Sequence, residues 1–465
     1  MQLSISEIKL SELNLASRID AEHYQPHFLE IVKRVKNKKF RKLSEIVSKK
    51  ITTGHTPSMA NESYYGGDIK FIKTDNLREN QIVENFNHFL SEKGADKLKN
   101  SSLKENDIII TIIGATFDVV GRVARIFPDL GRASINQNIS LVRPTIASGY
   151  LACFLMSKYG KQQLYYLSRQ TEQVNLNNVE VGDIVVPLPN DDFIKKIHDL
   201  HTETHNLFMQ SKQLYKKAEN MFLKEINLDG YKESGENISV RNLKDCLFVD
   251  RFDAEYWQPK YDEIEKIVLS VNQKEIGKIV SVKKGVEPGS DAYSEEGKLF
   301  VRVSDFSIYG IDEGEKRISE DLYEKLKEKF KPNKGEILFT KDGTIGISFA
   351  LNEDTEVIVS GAFLRLKPKI KINNDYLALV LNSYYCKKQI ERMSGGAVIS
   401  HLKPVSAMKI KIPILSDQKQ EEIALMVSEA LKIRKDAKYL LEKAKHSIEI
   451  FIEKDEKEAF LYLKH

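Results

Sequence analysis

Residues 417–453 read DQKQEEIALMVSEALKIRKDAKYLLEKAKHSIEIFIE, a run with no Gly and no Pro. Those two residue types interrupt helices most strongly, so the stretch predicts one unbroken helix from Asp417 to about Glu453. Ile423, Val427, Ala430, Ala437, Leu441, Ala444, Ile448 and Phe451 recur at steps of three and four, with only Arg434 interrupting. They form a narrow apolar seam, while Lys, Glu and Asp fill the other faces. Ser416 stands at the N-cap, just after the strand-like run Met408-Lys409-Ile410-Lys411-Ile412-Pro413-Ile414. At ~1.5 Å per residue such a helix is a rod roughly 55 Å long. A seam this narrow calls for a partner helix.

The partner lies upstream. An offset of 226 carries Ile410-Lys411-Ile412-Pro413 back to Ile184-Val185-Val186-Pro187, and Ile423 to Ile197. From Asp191 to about Leu228 the chain again lacks Gly and Pro. Its matching seam is Ile197, His201, Thr204, Phe208, Ser211, Tyr215, Ala218 and Phe222, broadened by Leu200, Leu207, Leu214 and Met221. Two amphipathic helices could each pack on a separate domain. What precedes them favours an antiparallel pair instead.

Arg18-Ile19-Asp20-Ala21-Glu22-His23-Tyr24-Gln25-Pro26 returns as Arg251-Phe252-Asp253-Ala254-Glu255-Tyr256-Trp257-Gln258-Pro259. Ile72-Lys73-Thr74-Asp75-Asn76-Leu77 returns as Val301-Arg302-Val303-Ser304-Asp305-Phe306. Asp107-Ile108-Ile109-Ile110-Thr111 with Gly114 matches Glu336-Ile337-Leu338-Phe339-Thr340 with Gly343, and Tyr150-Leu151-Ala152 matches Tyr376-Leu377-Ala378. The order is kept and the offset drifts only from 233 to 226, which marks a tandem duplication. Each copy reads as a short helix, β-branched runs broken by Gly and Asn, a further helix, a last strand ending in Pro, and then the long helix. The fold class expected is α/β (α+β): two such domains separated by two long antiparallel coiled-coil helices. The boundaries read as domain 1 over 1–190, the first arm over 191–226 and a linker over 227–242 bearing Gly230, Ser234, Gly235 and Asn237. Domain 2 follows over 243–416, the second arm over 417–455 and a tail over 456–465.

At 465 residues the chain exceeds what one core serves. Its 41% hydrophobic and 30% charged residues describe a soluble, folded protein. No apolar run approaches membrane-spanning length, and alternating polar residues from Met1 to Leu15 do not read as a signal peptide. Cys153, Cys246 and Cys386 are too sparse for a disulfide framework or a local metal cluster, which fits a cytoplasmic protein. A net charge of +4 permits nucleic acid as a partner without arguing for it.

Enzyme signatures are missing. The sequence has no phosphate-binding Gly-x-x-x-x-Gly-Lys-Ser/Thr, no dinucleotide fingerprint, no Gly-x-Ser-x-Gly elbow and no Asn/Asp-Pro-Pro-Tyr tetrapeptide for base methylation. Asp342-Gly343-Thr344 reads as a tight turn after the buried strand Ile337 to Phe339. His198, His201 and His205 share a helix face at metal-ligand spacing. Packing and hydrogen bonding explain them better, because the second copy has Ala424, Val427 and Leu431 there, so no metal and no cofactor is expected.

The polar residues beside strands carry more. Lys73, Thr74, Asp75 and Asn76 sit together, as do Arg302, Ser304 and Asp305. Lys and Arg donate to guanine edges or phosphates, Asn and Gln pair with adenine, and Asp accepts from cytosine. Thr53, Thr56, Asn136, Gln137, Gln173, Asn175 and Asn177 extend this equipment in the first copy. Lys283, Lys284, Lys341, Thr344, Ser400, His401 and Lys403 do so in the second. Singly each is an ordinary solvated turn residue; as a set they point to DNA. The copies keep their framework and differ in these loops, as two sites of one kind with different targets would.

At this point the chain resembles the specificity subunit of type I restriction–modification systems. The likeness rests on Gly54-x-Thr56-Pro57, Tyr65-Gly66-Gly67, Phe71-Ile72-Lys73-Thr74 and Asp107-Ile108-Ile109-Ile110-Thr111. In the second copy it rests on Gly335-Glu336-Ile337-Leu338-Phe339-Thr340 and on Ile412-Pro413 followed by Gln420 and Ile423. One departure is Ile194, which stands where Gln420 has its polar side chain. The resemblance implies two target-recognition domains that read a split double-stranded DNA sequence, with the helices as a ruler between them. It implies that two methyltransferase subunits dock on the helices and bring restriction or translocase subunits indirectly. Catalysis, S-adenosylmethionine and ATP would belong to those partners, and the chain itself would not be an enzyme. The competing readings are a fused methyltransferase or nuclease with an unfamiliar motif, and a two-domain protein-binding scaffold with no DNA role.

Overall fold

In the first copy Ile108–Thr111, buried at every position, lies at the centre of a four-stranded antiparallel sheet. Val123–Arg125 flanks it on one side, Ile139–Val142 on the other, and Thr52–Thr53 lies outside that. Side chains alternate across a sheet. Ile108 and Ile110 enter one core with Tyr150, Leu151 and Phe154, while Ile109 enters another with Ile72, Ala133 and Ile135. The second copy repeats this plan in Val280–Lys284, Phe363–Pro368, Ile337–Thr340 and Ser348–Ala350, taken in spatial order. Ile337 and Phe339 face one core and Leu338 the other. A strand buried on both faces reads as a continuous apolar run, which is what both copies show here. The second core of each copy is roofed by a parallel pair, Ala133–Ile135 on Tyr65–Ile72 and Ile358–Val359 on Lys298–Val301. The computed structural model describes residues 5–10, 23–114, 119–170, 174–312, 314, 316–394 and 401–464. Arg18 to Glu22 of the first repeat, together with Gln173 and Ser400, lie outside them.

Each copy is then closed on itself. Phe40–Lys42 pairs antiparallel with Val185–Pro187, and Gln273–Glu275 pairs with Lys411–Pro413 in the same register. On the other edge of that terminal strand a glutamine side chain takes the place of a third strand. Gln163 accepts from Val185 N at 2.8 Å and donates to Val185 O at 3.0 Å; Gln389 does the same with Lys411, at 2.8 and 3.0 Å. Tyr150 Oη donates to Pro187 O at 2.6 Å, and Tyr376 Oη donates to Pro413 O at 2.8 Å. Both tyrosines are fully buried, and burial pushes both hydroxyls well above their ordinary pKa.

The acid that begins the central strand also recurs, with a different partner. Asp107 is held by Arg143 at 2.7 and 2.8 Å. Glu336 is held by Arg365 at 2.8 and 3.1 Å, in a pair only 3% and 1% exposed. Leu141 pairs with Ile109 and Arg365 with Leu338, so the second arginine enters the sheet at the register position of Leu141, two residues before Arg143.

The long helices run over Asp191–Glu225 and Asp417–Glu453. The chain divides into two compact units, Met1–Asn206 with Asp436–His465, and Leu207–Lys435, so each unit takes part of both helices. In the first unit Ile197 and Leu200 share a core with Leu441, Ala444 and Ile448, and the rings of Phe193 and Phe451 lie 5.8 Å apart. In the second, Ser211 Oγ donates to Ala430 O at 2.7 Å, the Arg434 guanidinium lies 4.9 Å from the Phe208 ring, and Lys419 meets Glu225 at 3.1 Å. As one number rises the other falls, so the helices pack antiparallel within each unit. Tyr215, Ala218, Phe222, Ile423, Val427 and Ala437 of the seam are buried as well. Within the tail, Glu456–Lys464 forms a further helix whose Phe460 lies edge-on to Phe193. In the linker, Tyr231 Oη and Ser234 Oγ both donate to Glu263, each at 2.6 Å.

The three histidines of the first long helix have separate partners. His198 Nδ1 accepts from Gly149 N at 3.1 Å, His201 Nε2 lies 2.7 Å from Asn80 Oδ1, and His205 Nε2 lies 3.0 Å from Asp129 Oδ1. An acceptor opposite Nε2 puts the His201 proton there, leaving Nδ1 buried with no partner among the described residues. Burial, with Arg125, His198 and His205 nearby, lowers the His201 pKa from 6.5 to about 3.

Two expectations follow from this packing. Tyr376→Phe leaves the Pro413 carbonyl buried and unpaired, and is expected to cost ~1–3 kcal/mol in urea unfolding of the second unit; an unchanged midpoint would show that the closure contributes nothing. For His201 the unfolded chain takes up a proton that the folded chain rejects. Its contribution is therefore complete above the unfolded value of 6.5 and is lost as pH falls from there toward about 3, at ~1.4 kcal/mol per pH unit. His201→Gln, which keeps a donor for Asn80, is expected to flatten the acid limb of the stability curve between ~pH 6 and 4, as read from thermal unfolding across that range.

Candidate nucleic-acid interface

In the first copy the separate loops converge on the turn at residues 135–138. Gly54 N donates to Asn136 O at 3.1 Å, Asn136 N to Ile72 O at 3.1 Å, and Ile112 N to Asn138 O at 2.9 Å. Leu176 N in turn donates to Ile112 O at 2.8 Å. Four loops are thereby fixed to one turn by backbone bonds, and Thr53, Thr56, Lys73, Gln137 and Asn175 ride on them. Thr56 Oγ1 donates to Gln137 Oε1 at 2.5 Å. A Cβ on Gly54 would lie 1.7 Å from Ile135 O, so only glycine permits the approach.

The second copy builds a matching junction about residues 360–363, with the glycine bond moved from the equivalent of Asn136 to Phe363. Gly285 N donates to Phe363 O at 3.2 Å, Ser360 N to Val301 O at 2.9 Å, Lys341 N to Ala362 O at 2.8 Å and Leu402 N to Lys341 O at 2.8 Å. Lys284, Arg302, Lys341 and His401 are brought together in this way. A Cβ on Gly285 would lie 2.0 Å from Ser360 O, as at Gly54. Glu287 Oε1 accepts from Gly361 N at 2.7 Å, and Asp342 pairs with both Lys341 and His401. Sequence reasoning gave no role to Glu287 or to residues 360–362, and read Asp342 only as part of a tight turn. The repeat offset falls to 224 at this turn, below the 226 to 233 read from the matched motifs, so the sequence repeat alone points a few residues past it.

The gathered polar residues divide into two kinds. Asn76 and Asp305 are buried and close equivalent turns: Asn76 Oδ1 accepts from Lys73 N at 2.9 Å and Asp305 Oδ2 from Arg302 N at 3.0 Å. Ser304 Oγ donates to Asp305 Oδ1 at 2.9 Å, and the Arg302 guanidinium lies 3.3 Å from Oδ2 of the same carboxylate. The buried Asn136 accepts from Asn138 N at 3.2 Å, and Asn177 caps the helix Asn178–Gly182 by accepting from Val179 N and Glu180 N. Thr74 Oγ1 is buried with no partner among the described residues. Asp75, Gln137, Asn175, Lys283, Lys284, Thr344 and Lys403 are exposed. Lys283 and Lys284 stand on the strand that leads to Gly285, and Lys403 precedes the helix Pro404–Ala407. Exposed cations and amides around a backbone-fixed turn can contact phosphates and base edges, which chemistry assigns to positioning and to sequence reading respectively. Among the described residues no group of three His, Cys, Asp or Glu could hold a metal ion, and no helix is long and apolar enough to cross a membrane.

Comparison with known proteins leads to the same place. The chain matches the type I restriction modification DNA specificity domain over residues 35–214 and again over 269–443. It is 24% identical over 394 residues to the type I restriction enzyme MjaIX specificity subunit of Methanocaldococcus jannaschii, which covers 82% of this chain and 83% of that one. It is also 24% identical over 170 residues to the EcoBI specificity subunit of Escherichia coli, a match that spans 35% of this chain and about a third (34%) of the relative. Among solved structures, the type I restriction–modification S subunit from M. genitalium aligns over 90% of this chain and 96% of its own, at 14% identity and a TM-score of 0.40. Two matches to one domain span most of the sequence, and they fall on the two copies that the repeat defines: the chain belongs to the type I restriction modification DNA specificity family.

Proposed function

We propose that this chain is the non-catalytic DNA-recognition subunit of a type I restriction–modification complex, and that its two junctions read the two halves of a split double-stranded target. The observation that carries this reading is a junction built twice, with three of its four backbone bonds equivalent, and lined with different side chains. In the first copy Thr53, Thr56, Lys73, Gln137 and Asn175 do the reading. In the second it falls to Arg302, Lys341, Thr344, His401 and Lys403, while Lys283 and Lys284 meet phosphates. Domain 1 takes residues 1–190 and domain 2 residues 243–416, and the long helices set the spacing of the half-sites. Two methyltransferase subunits dock on those helices, restriction subunits join through them, and all chemistry on DNA belongs to these partners. The three cysteines are free thiols, two of them buried, which supports a place in the cytoplasm.

Exchanging residues 1–187 for the matching part of another family member is expected to alter one half of the methylated motif and leave the other unchanged. Methylome sequencing of host cells reads the result, and a change in both halves would end the two-site reading. Lys283→Ala with Lys284→Ala is expected to weaken DNA binding at all sequences alike. It should also reduce the slope of log affinity against log salt by ~1–2. A variant whose salt slope matches the wild type would remove these lysines from the phosphate contacts.

A further inference from the structure

The turns at residues 73–76 and 302–305 each run straight into a two-stranded hairpin. Leu77–Arg78 pairs with Gln81–Ile82, and Phe306–Ser307 pairs with Gly310–Ile311. Each hairpin then closes back on its turn: Val83 N donates to Asn76 O at 2.7 Å, and Asp312 N donates to Asp305 O at 2.8 Å. Leu77 and Phe306 are both buried. One offset of 229 relates all of these positions, so the same stiff piece, turn plus hairpin, is built in both copies.

The tip of each hairpin rests on the long helices, through unlike chemistry. In the first unit the tip is Glu79-Asn80. Asn80 Oδ1 accepts the Nε2 proton of the fully buried His201 at 2.7 Å, and Glu79 meets Lys445 at 3.5 Å and Lys161 at 2.5 Å. Asn80 stands at φ 57°, in the left-handed region, and its N–H donates to Val123 O at 2.7 Å. In the second unit the tip is Ile308-Tyr309. The Arg434 guanidinium lies 3.8 Å from the centre of the Tyr309 ring. That ring is edge-on to Tyr215 at 5.7 Å, and the Tyr215 hydroxyl accepts from Asn382 Nδ2 at 3.0 Å. His201 and Tyr215 belong to the first long helix, Lys445 and Arg434 to the second, so each tip touches both.

Neither hairpin needs these contacts to close, because its strand pairing, its bond back to the turn and its buried first residue already fix it. Hairpin tips are ordinarily left to solvent. Here one is seated by a hydrogen bond and ion pairs, the other by a cation on an aromatic face. What the two share is the place of the contact. A stiff piece with a recognition turn at one end and a helix pair at the other passes the position of the helices on to the turn. Lys73 and Arg302, the cations that begin the two turns, ride on the far end of it.

We infer that the hairpins 77–82 and 306–311 are struts that hold each recognition turn in place from the helix pair behind it, and that Asn80, His201, Tyr309 and Arg434 are positioning residues for the reading of DNA. The inference rests on the function proposed above. It is tested on the full chain in its assembled complex, by competition binding to duplexes of the methylated motif that carry single base substitutions in one half or the other. Wild type is expected to discriminate in both halves. Tyr309→Ala is expected to lower discrimination about tenfold in the half that the exchange of residues 1–187 leaves unchanged, and to leave the other half as it was. Asn80→Gly keeps the left-handed backbone but removes the acceptor for His201, and should do the reverse. Tyr309→Phe keeps the ring face for Arg434 and should read like wild type. Should Tyr309→Ala fail to fold, Tyr309→Leu, which fills the space without offering a ring face, is read in its place. Wild-type discrimination in both the Tyr309 and the Asn80 variants would overturn the struts while leaving the proposed function standing. Equal weakening at every duplex would also overturn them, since general destabilisation does not single out one half. A wild-type complex that discriminates in neither half would overturn both.

Discussion

Everything in this chain hangs from the closure of each copy on its own last strand. Three residues of backbone, Val185–Pro187 or Lys411–Pro413, are held on one edge by a returning strand, on the other by a glutamine amide and at the end by a tyrosine hydroxyl. The long helix starts a few residues later, so its direction is set by bonds that the globular copy has already made. Buried hydrogen bonds contribute only ~1 kcal/mol net each, yet leaving one partner unpaired costs more. The closure therefore acts less as glue than as a geometric stop.

Most of this was legible in the sequence. The seam from Ile423 to Phe451, the repeat about Asp107 and Glu336, and the Pro that ends each last strand all carry signals that depend on local periodicity or on order along the chain. Both long helices, the buried central strands and the doubling could be read from these. What could not be read was the office of each polar side chain. Asn76 and Gln137 look alike in sequence, but one is sealed in a turn bonded to Lys73 N and Asn85 while the other faces water. The bonds of Asn76 are local, whereas the turn that presents Gln137 is built by contacts between segments more than sixty residues apart in sequence, such as Gly54 and Asn136. Periodicity carries no trace of them. Ile194 shows a milder case: it packs against the core where its counterpart Gln420 accepts from Asn373 N at 3.1 Å and donates to Leu415 O at 2.9 Å.

The junctions explain how recognition loops can vary on a constant frame. Their geometry is carried by backbone N–H and carbonyl groups, which every residue but proline supplies, and by one glycine whose missing Cβ lets two chain segments touch. Side chains at Thr53, Lys73, Gln137, Lys284 or Thr344 can then change without moving the turn that presents them. The side chains vary, while the groups that all residues share hold the frame.

The two arginines that hold Asp107 and Glu336 have a bearing on gene rearrangement. A repeated coding sequence invites recombination between its copies, and a crossover joins the upstream part of one to the downstream part of the other. If the crossover falls between the acid and its arginine, one hybrid sets Glu336 opposite Leu141 with Arg143 two residues on, and the other sets Arg365 against Asp107, whose side chain is one methylene shorter. A buried ion pair whose partners no longer meet in their own geometry is destabilising. Such hybrids are expected to be less stable than either parent. Crossovers in the long helices separate no such pair, so the viable recombinants are those that exchange whole recognition domains.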